Sequence, residues 1–140
     1  MSIPVAVIKE MFEQCQTFRQ LLLRFTHSHM IQLSQTALCN SIHNVEQRLA
    51  RWLLLSHDRS DSDVLPFTQE MLSLMLGVHR PTVAAITIRL KHRGFIEYKR
   101  GQILVQNRKQ LEEFCCRCYG VVKEEYDEVM KINQKHIVFS

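Results

Sequence analysis

Five cysteines (Cys15, Cys39, Cys115, Cys116 and Cys118) and seven histidines are the side chains best equipped to hold a metal, cycle redox state or shuttle a proton. An odd cysteine count, with three packed into Cys115-Cys-Arg-Cys118, does not suit a secreted disulfide framework. A zinc or iron–sulfur site needs four well-spaced ligands. Three cysteines along one helix, which the pattern extends from Arg108 to about Met130, offer poor geometry for one. Buried structural thiols are therefore the favoured reading, with redox sensing as the alternative, and neither a metal nor a cofactor is expected. The run Ser56-His57-Asp58 contains the residue types of a hydrolytic triad, but adjacent residues in a polar loop cannot converge as a triad must. His27 and His29 lie two apart on a predicted helix and face different ways. A glycine-rich phosphate loop and a His-Glu-x-x-His pattern are both absent, so no enzyme is expected.

Charge is distributed more informatively than chemistry. The net +4 over 140 residues hides a basic block: residues 79–109 carry eight Lys and Arg against the single acid Glu97. Residues 1–78 are close to neutral and residues 110–130 are acidic. Such concentration is the electrostatic footprint expected for a polyanion, with a solvated basic face as the plainer alternative. A hydrophobic content of 46% excludes disorder, and no window reaches the roughly 18–20 apolar residues of a membrane span. The N-terminus lacks a signal-peptide pattern, and a cytoplasmic location with no membrane partner is expected.

The elements that must carry this block are mainly helical. The first 57 residues contain one proline, Pro4, and no glycine. A short amphipathic helix after Pro4, a break near residues 14–17 with Thr17 as N-cap, and a long helix from Phe18 to about Ile42 are predicted. Its apolar stripes cannot both be buried by a small domain, so self-association through Leu22, Leu23, Thr26, Met30, Leu33 and Ala37 is expected, with a core helix of a larger monomer as the alternative. Val45–Ser56 reads as a further helix, with Val45, Leu49, Trp52 and Leu53 inward and Glu46, Arg48 and Arg51 outward. A polar loop, 57–63, and a short extended piece, 64–67, follow. Thr68 then caps a short helix that Gly77 ends, and a second, basic helix runs from about Arg80 to His92 with Pro81 in its first turn. Two strand-like runs, 95–99 and 102–106, meet across Arg100-Gly101 as a hairpin.

Helix, glycine turn, basic helix and basic hairpin, in this order, predict a winged helix-turn-helix. The run Thr68 to Val105, with Leu76-Gly-Val-His-Arg-Pro-Thr-Val83 at the turn and Leu90, Gly94, Phe95 and Ile96 before the wing, resembles the Crp/Fnr transcription regulators. Val45-Glu-Gln-Arg-Leu-Ala-Arg-Trp-Leu53 resembles the helix that follows the dimerisation helix in that family. The expected fold is therefore mainly α with a small β-hairpin. Residues 1–43 form a helical dimerisation segment, 44–108 a winged helix-turn-helix, and 109–140 a C-terminal helical extension.

The resemblance implies sequence-specific binding of double-stranded DNA by a homodimeric transcription regulator at an inverted-repeat operator, with contact to RNA polymerase. Helix 80–92 would enter the major groove and wing 95–105 would lie on the phosphates. Base reading maps onto His79, Arg80, Ala84 and Ala85; Thr68, Gln69, Thr82, Arg89, Lys99 and Arg100 map onto phosphate contacts. Relatives often carry an acid where Pro81 stands and a polar residue where Ala85 stands, so their specificity does not transfer. Thr82, Ala84 and Ala85 offer methyls to thymine instead. A helix entering the groove favours duplex DNA over RNA, whose deep major groove cannot be read this way. The family's effector-binding β-barrel has no counterpart in these 140 residues, so no cyclic-nucleotide site is expected. A second reading is a truncated or fragmentary regulator, acting as a dimerisation or protein-interaction module without its own effector response.

Overall fold

The structure, a computed structural model, describes residues 3–137, with side chains described through residue 131. The chain divides into two compact units, Met1–Thr36 with Gly120–Ser140, and Ala37–Tyr119.

Apart from residues 3–4 and Cys15, the described residues of the first unit are helical. Helix α1, Val5–Gln14, follows Pro4, whose carbonyl accepts from the amides of Val7 and Ile8. The chain then breaks at Cys15, which is extended (φ −107°, ψ 103°). Helix α2, Gln16–Ile42, starts one residue before the expected cap, so Thr17 lies inside its first turn. Cys15 itself stands at the N-cap position, its carbonyl accepting from the amide of Arg19 at 3.0 Å. The long C-terminal helix, called α7 below, spans Cys118–Ile137, and from Gly120 onward it belongs to this unit. Val122 and Val129 of α7 are buried, and Phe18, Leu21, Leu22 and Phe25 of α2 line an apolar groove with Val129 and Met130. Leu23, Met30 and Leu33 remain more than half exposed.

The second unit is built on α3, Val45–His57, which Asn44 caps by accepting from the amide of Gln47 at 2.9 Å. Leu49, Ala50, Leu53 and Leu54 are fully buried at helical spacing, each large side chain contributing roughly 1.5–3 kcal/mol. Arg51, expected outside, is fully buried, its guanidinium 5.4 Å from the Trp52 ring centre. Against α3 pack α4, Gln69–Leu76, α5, Arg80–His92, and α6, Arg108–Phe114.

Strands β1, Val64–Leu65, β2, Ile96–Lys99, and β3, Gln102–Val105, form an antiparallel sheet in the order β1-β3-β2. The extended piece before α4 thus adds a third strand to the predicted hairpin, with Val64 opposite Leu104 and Leu65 opposite Ile103. Its reason is apolar: Leu65 and Ile103, opposite each other in the sheet, are both buried.

The expected single helix from Arg108 to Met130 is two. It breaks over residues 115–117, with Cys115 extended (φ −66°, ψ 158°), before α7 begins at Cys118. The break removes the continuous helical spacing that argued against a cysteine site.

Candidate nucleic-acid interface

Helices α4 and α5 meet at 105° across a three-residue turn, within the range of helix-turn-helix units. The local chemistry of that corner is legible residue by residue. Thr68 Oγ1 accepts from the amide of Met71 at 3.2 Å and starts α4. Gly77 ends it in the left-handed region, φ 63°, where a side chain would be strained. His79 caps α5 through its carbonyl, which accepts from Thr82 and Val83, while Pro81 occupies the first turn at little cost. Val83, Ile86 and Leu90 are buried, and the Thr87 hydroxyl donates to the carbonyl of Val83 at 2.8 Å. These four residues turn the opposite face outward.

That outward face carries the residues singled out for base reading. His79, Arg80 and Ala85 are exposed and Ala84 is half-buried. Thr82 is exposed, and Ile88, which the sequence reading passed over, is 55% exposed one turn beyond Ala84. The outward surface of α5 thus begins with a cation, continues through small and apolar groups and ends in exposed Arg89 and Lys91.

The basic block is partly neutralised within the fold. Arg80 Nη2 pairs with Glu70 Oε2 of α4 at 2.7 Å, both side chains more than half exposed. A surface pair of this kind is worth about 0–1 kcal/mol, so it yields readily to a better acceptor. Arg89 donates through Nε to Glu46 of α3, and Arg93 lies 3.8 Å from the same carboxylate. Lys91 pairs with Glu97 at 2.6 Å, and this hydrogen bond holds the Glu97 carboxyl below its ordinary range. None of these partners follows from spacing alone, since Glu46 and Arg89 are 43 residues apart.

The wing differs. Strands β2 and β3 turn through Arg100 (φ 47°) and Gly101 (φ 78°), two successive left-handed residues as a type I′ turn requires. Lys99 and Arg100 are exposed, and no ion pair among the described residues engages either. A Cβ built on Gly101 would stand 3.2 Å from Cγ2 of Thr68, so the wing tip lies against the start of α4. This juxtaposition gathers Thr68, half-buried Gln69, Lys99 and Arg100 on one side of the helix pair.

Behind this surface lies a polar hub that sequence reasoning missed. Arg108 donates to His57 Nδ1 (2.6 Å), Asp58 Oδ1 (2.6 Å), Tyr119 Oη (2.7 Å) and Glu112 Oε1 (2.8 Å). His57 donates in turn from Nε2 to Asp63 at 2.7 Å, and Tyr119 donates to Asp58 Oδ2 at 2.9 Å. Burial, reinforced by the Asp58 carboxylate, pushes the Tyr119 hydroxyl far above its usual range and keeps it a donor. His57, the last residue of α3, and Asp58 after it accept from Arg108 and so join the end of α3 to α6. Arg108, counted in the basic block, is engaged by this hub.

Residues 47–114 match the Crp-like helix-turn-helix domain. No curated protein matches the chain. Among solved structures, a transcriptional regulator of the Crp/Fnr family from Eubacterium rectale is similar over 80% of this chain, with a TM-score of 0.59 and 19% identity. CprK in complex with OCPA is similar over 79% of the chain, with a TM-score of 0.58 and 16% identity. The chain spans about half the length of these two structures, covering 52% and 54% of them. At such identities they share the fold, while the match over α3 to α6 identifies the domain. Residues 47–114 thus form a Crp-like helix-turn-helix domain.

Proposed function

We propose that the chain binds double-stranded DNA sequence-specifically as a homodimer and regulates transcription. Helix α5 enters the major groove while the wing, residues 95–105, rests on the phosphate backbone. The observation that carries this reading is the placement of Arg80 at the exposed start of a helix held at 105° to α4, beside a wing tip carrying Lys99 and Arg100. Arg80 reads a guanine edge through two parallel hydrogen bonds, with His79 beside it, and the methyls of Ala84 and Ala85 meet thymine. Thr68, Gln69, Thr82, Lys99 and Arg100 position the protein on phosphates; Arg89 joins them by leaving Glu46.

Self-association through α2 is supported by the apolar surface it leaves open: Leu23, Met30, Leu33 and Ala37 are exposed, with Phe25, Leu38 and Ile42 beside them. Thr26 is exposed too, its hydroxyl donating to the carbonyl of Leu22 at 2.8 Å. Leu22 is half-buried in the groove with α7 and contributes from its edge. A dimer presents two α5 helices to an inverted repeat, and contact with RNA polymerase follows from the family's role.

Selection of bound duplexes from a random pool tests the whole reading, because it returns half-site, spacing and symmetry together. An enriched inverted repeat with half-sites about one helical turn apart is expected. Recovery of unenriched sequence, with sedimentation showing a monomer, overturns it. For the wing, the double substitution Lys99→Ala/Arg100→Ala is expected to weaken binding to all duplexes alike. It should also lower the slope of log affinity against log salt by about 2. An unchanged slope in a gel-shift titration removes the wing from the interface.

A further inference from the structure

The fold assembles a constellation that the sequence scatters over 80 positions. Cys39, near the end of α2, and His43, just after it, meet Cys116 and Cys118 at the α6–α7 break, all within the second unit. Their three sulfurs and one ring nitrogen lie within 4.8 Å of one another. Cys39 Sγ is 3.6 Å from Cys116 Sγ, and Cys118 Sγ is 3.7 Å from His43 Nδ1. We propose that Cys39, His43, Cys116 and Cys118 form a structural zinc site of the Cys3His type.

Bond lengths of about 2.3 Å for zinc–sulfur and 2.0–2.1 Å for zinc–nitrogen give tetrahedral edges of about 3.8 Å (S···S) and 3.5 Å (S···N). The two edges given are already near those values, and closing the widest asks no more than about 1.3 Å. A disulfide fits less well, since its sulfurs must approach to about 2.05 Å. A polynuclear iron–sulfur cluster interposes its own sulfides between cysteine ligands and needs a wider cage. Three soft thiolates and an imidazole select zinc over hard, oxygen-seeking cations.

Local structure supports the same assignment. Cys39, Cys116 and Cys118 are buried together while His43 is half-buried, so the cage is closed on the sulfur side. Cys39 and His43 stand four apart where α2 ends, with the amide of His43 donating to the carbonyl of Cys39 at 3.1 Å. On the other strand of chain, the extended break lets two cysteines separated by one residue point to one centre, which a continuous helix would forbid. Cys115 stays outside the set, its thiol turned to the carbonyl of Gln47 at 3.9 Å.

Charge is balanced as well. Zinc binding releases three thiol protons to solvent and leaves a cage of net charge −1. Burial raises the thiols of Cys39 and Cys118, and the fully buried guanidinium of Arg51 acts in the opposite sense, favouring the thiolates of such a cage. A buried cation on the inner face of α3 thereby gains a role that its sequence position did not suggest.

The ligands come from both ends of the second unit, residues 37–119, with Cys39 and Cys116 77 positions apart. A metal here clips entry to exit, stabilising the unit as a long-range cross-link does. The test uses the full chain, purified without a metal-affinity tag from zinc-supplemented medium. Elemental analysis is expected to find about one zinc per chain, and cobalt(II) substitution should give the intense ligand-field bands of a tetrahedral thiolate site. Cys115→Ser should keep both properties. His43→Ala, altering a half-buried residue outside any helix, should weaken zinc affinity by more than the roughly 10–100-fold that loss of an outer-shell partner costs. Cys39→Ser should abolish the tetrahedral cobalt spectrum, with circular dichroism reporting whether the helices persist. A zinc-free chain whose cobalt spectrum is that of the hydrated ion overturns the proposal. So does iron or copper in place of zinc, or His43→Ala binding zinc as tightly as the parent.

Discussion

Arg80→Ala is expected to lower affinity for the selected operator by about 1–3 kcal/mol per half-site, while binding to random duplex changes little. The asymmetry is what distinguishes a base contact from a phosphate contact. Arg80 is exposed at the start of α5, where a guanidinium can lie in the plane of a guanine and donate to O6 and N7 together. In the unbound protein it donates to Glu70 instead, at 2.7 Å. On the proposed reading, binding exchanges this carboxylate for a base edge, and Glu70→Gln should tighten operator binding slightly by removing the competitor. Competition gel shifts with operator and random duplex measure both effects. An equal loss on the two duplexes for Arg80→Ala assigns the residue to the backbone and contradicts base reading.

Leu90→Ala should destabilise the second unit by about 2–5 kcal/mol, enough to populate the unfolded state of a marginally stable domain. Leu90 is fully buried on the inward face of α5, in the core that also holds Leu53, Leu72 and Ile96. Removing it leaves a cavity under the helix proposed to read DNA. Its effect should appear as a lowered denaturation midpoint for the whole unit, with DNA binding lost in parallel. Ala85→Gly, on the exposed face of the same helix, makes no cavity and should cost only about 1 kcal/mol, the intrinsic helix penalty. Chemical denaturation followed by circular dichroism separates the two. Similar midpoints for both variants would show that α5 is not held by its inward leucine.

The helix-turn-helix was readable because each of its boundaries is written in a residue with a strong local preference. Thr68 caps, Gly77 takes the left-handed turn, Pro81 opens α5, and Arg100-Gly101 closes the hairpin; all four act over three or four residues. What sequence reading missed is long-range. The inward turn of Arg51, the pairing of β1 with β3, and the Glu46–Arg89 contact depend on elements brought together only by folding. The cysteines show the same limit in sharper form. Read as one helix, 108–130 scatters its thiols around an axis. A break of three residues, whose only local signal is the cysteines themselves, brings them to Cys39 and His43. The surface of α5 was legible in position but not in company: Ile88 went unnoticed because an exposed isoleucine breaks no pattern on a short helix.

Arg100 holds a backbone conformation, φ 47°, that costs an L-residue free energy and costs glycine almost none. Glycine in its place would relax the turn, and asparagine would fit it better than arginine does. The hairpin thus carries a guanidinium at a position where stability alone would choose a smaller side chain. Such a trade is expected where selection acts on what the tip touches rather than on how firmly the tip is made. Ranked by thermodynamic cost instead of by charge, Arg100 is the residue of the wing tip where a more stable turn would give up the proposed phosphate contact.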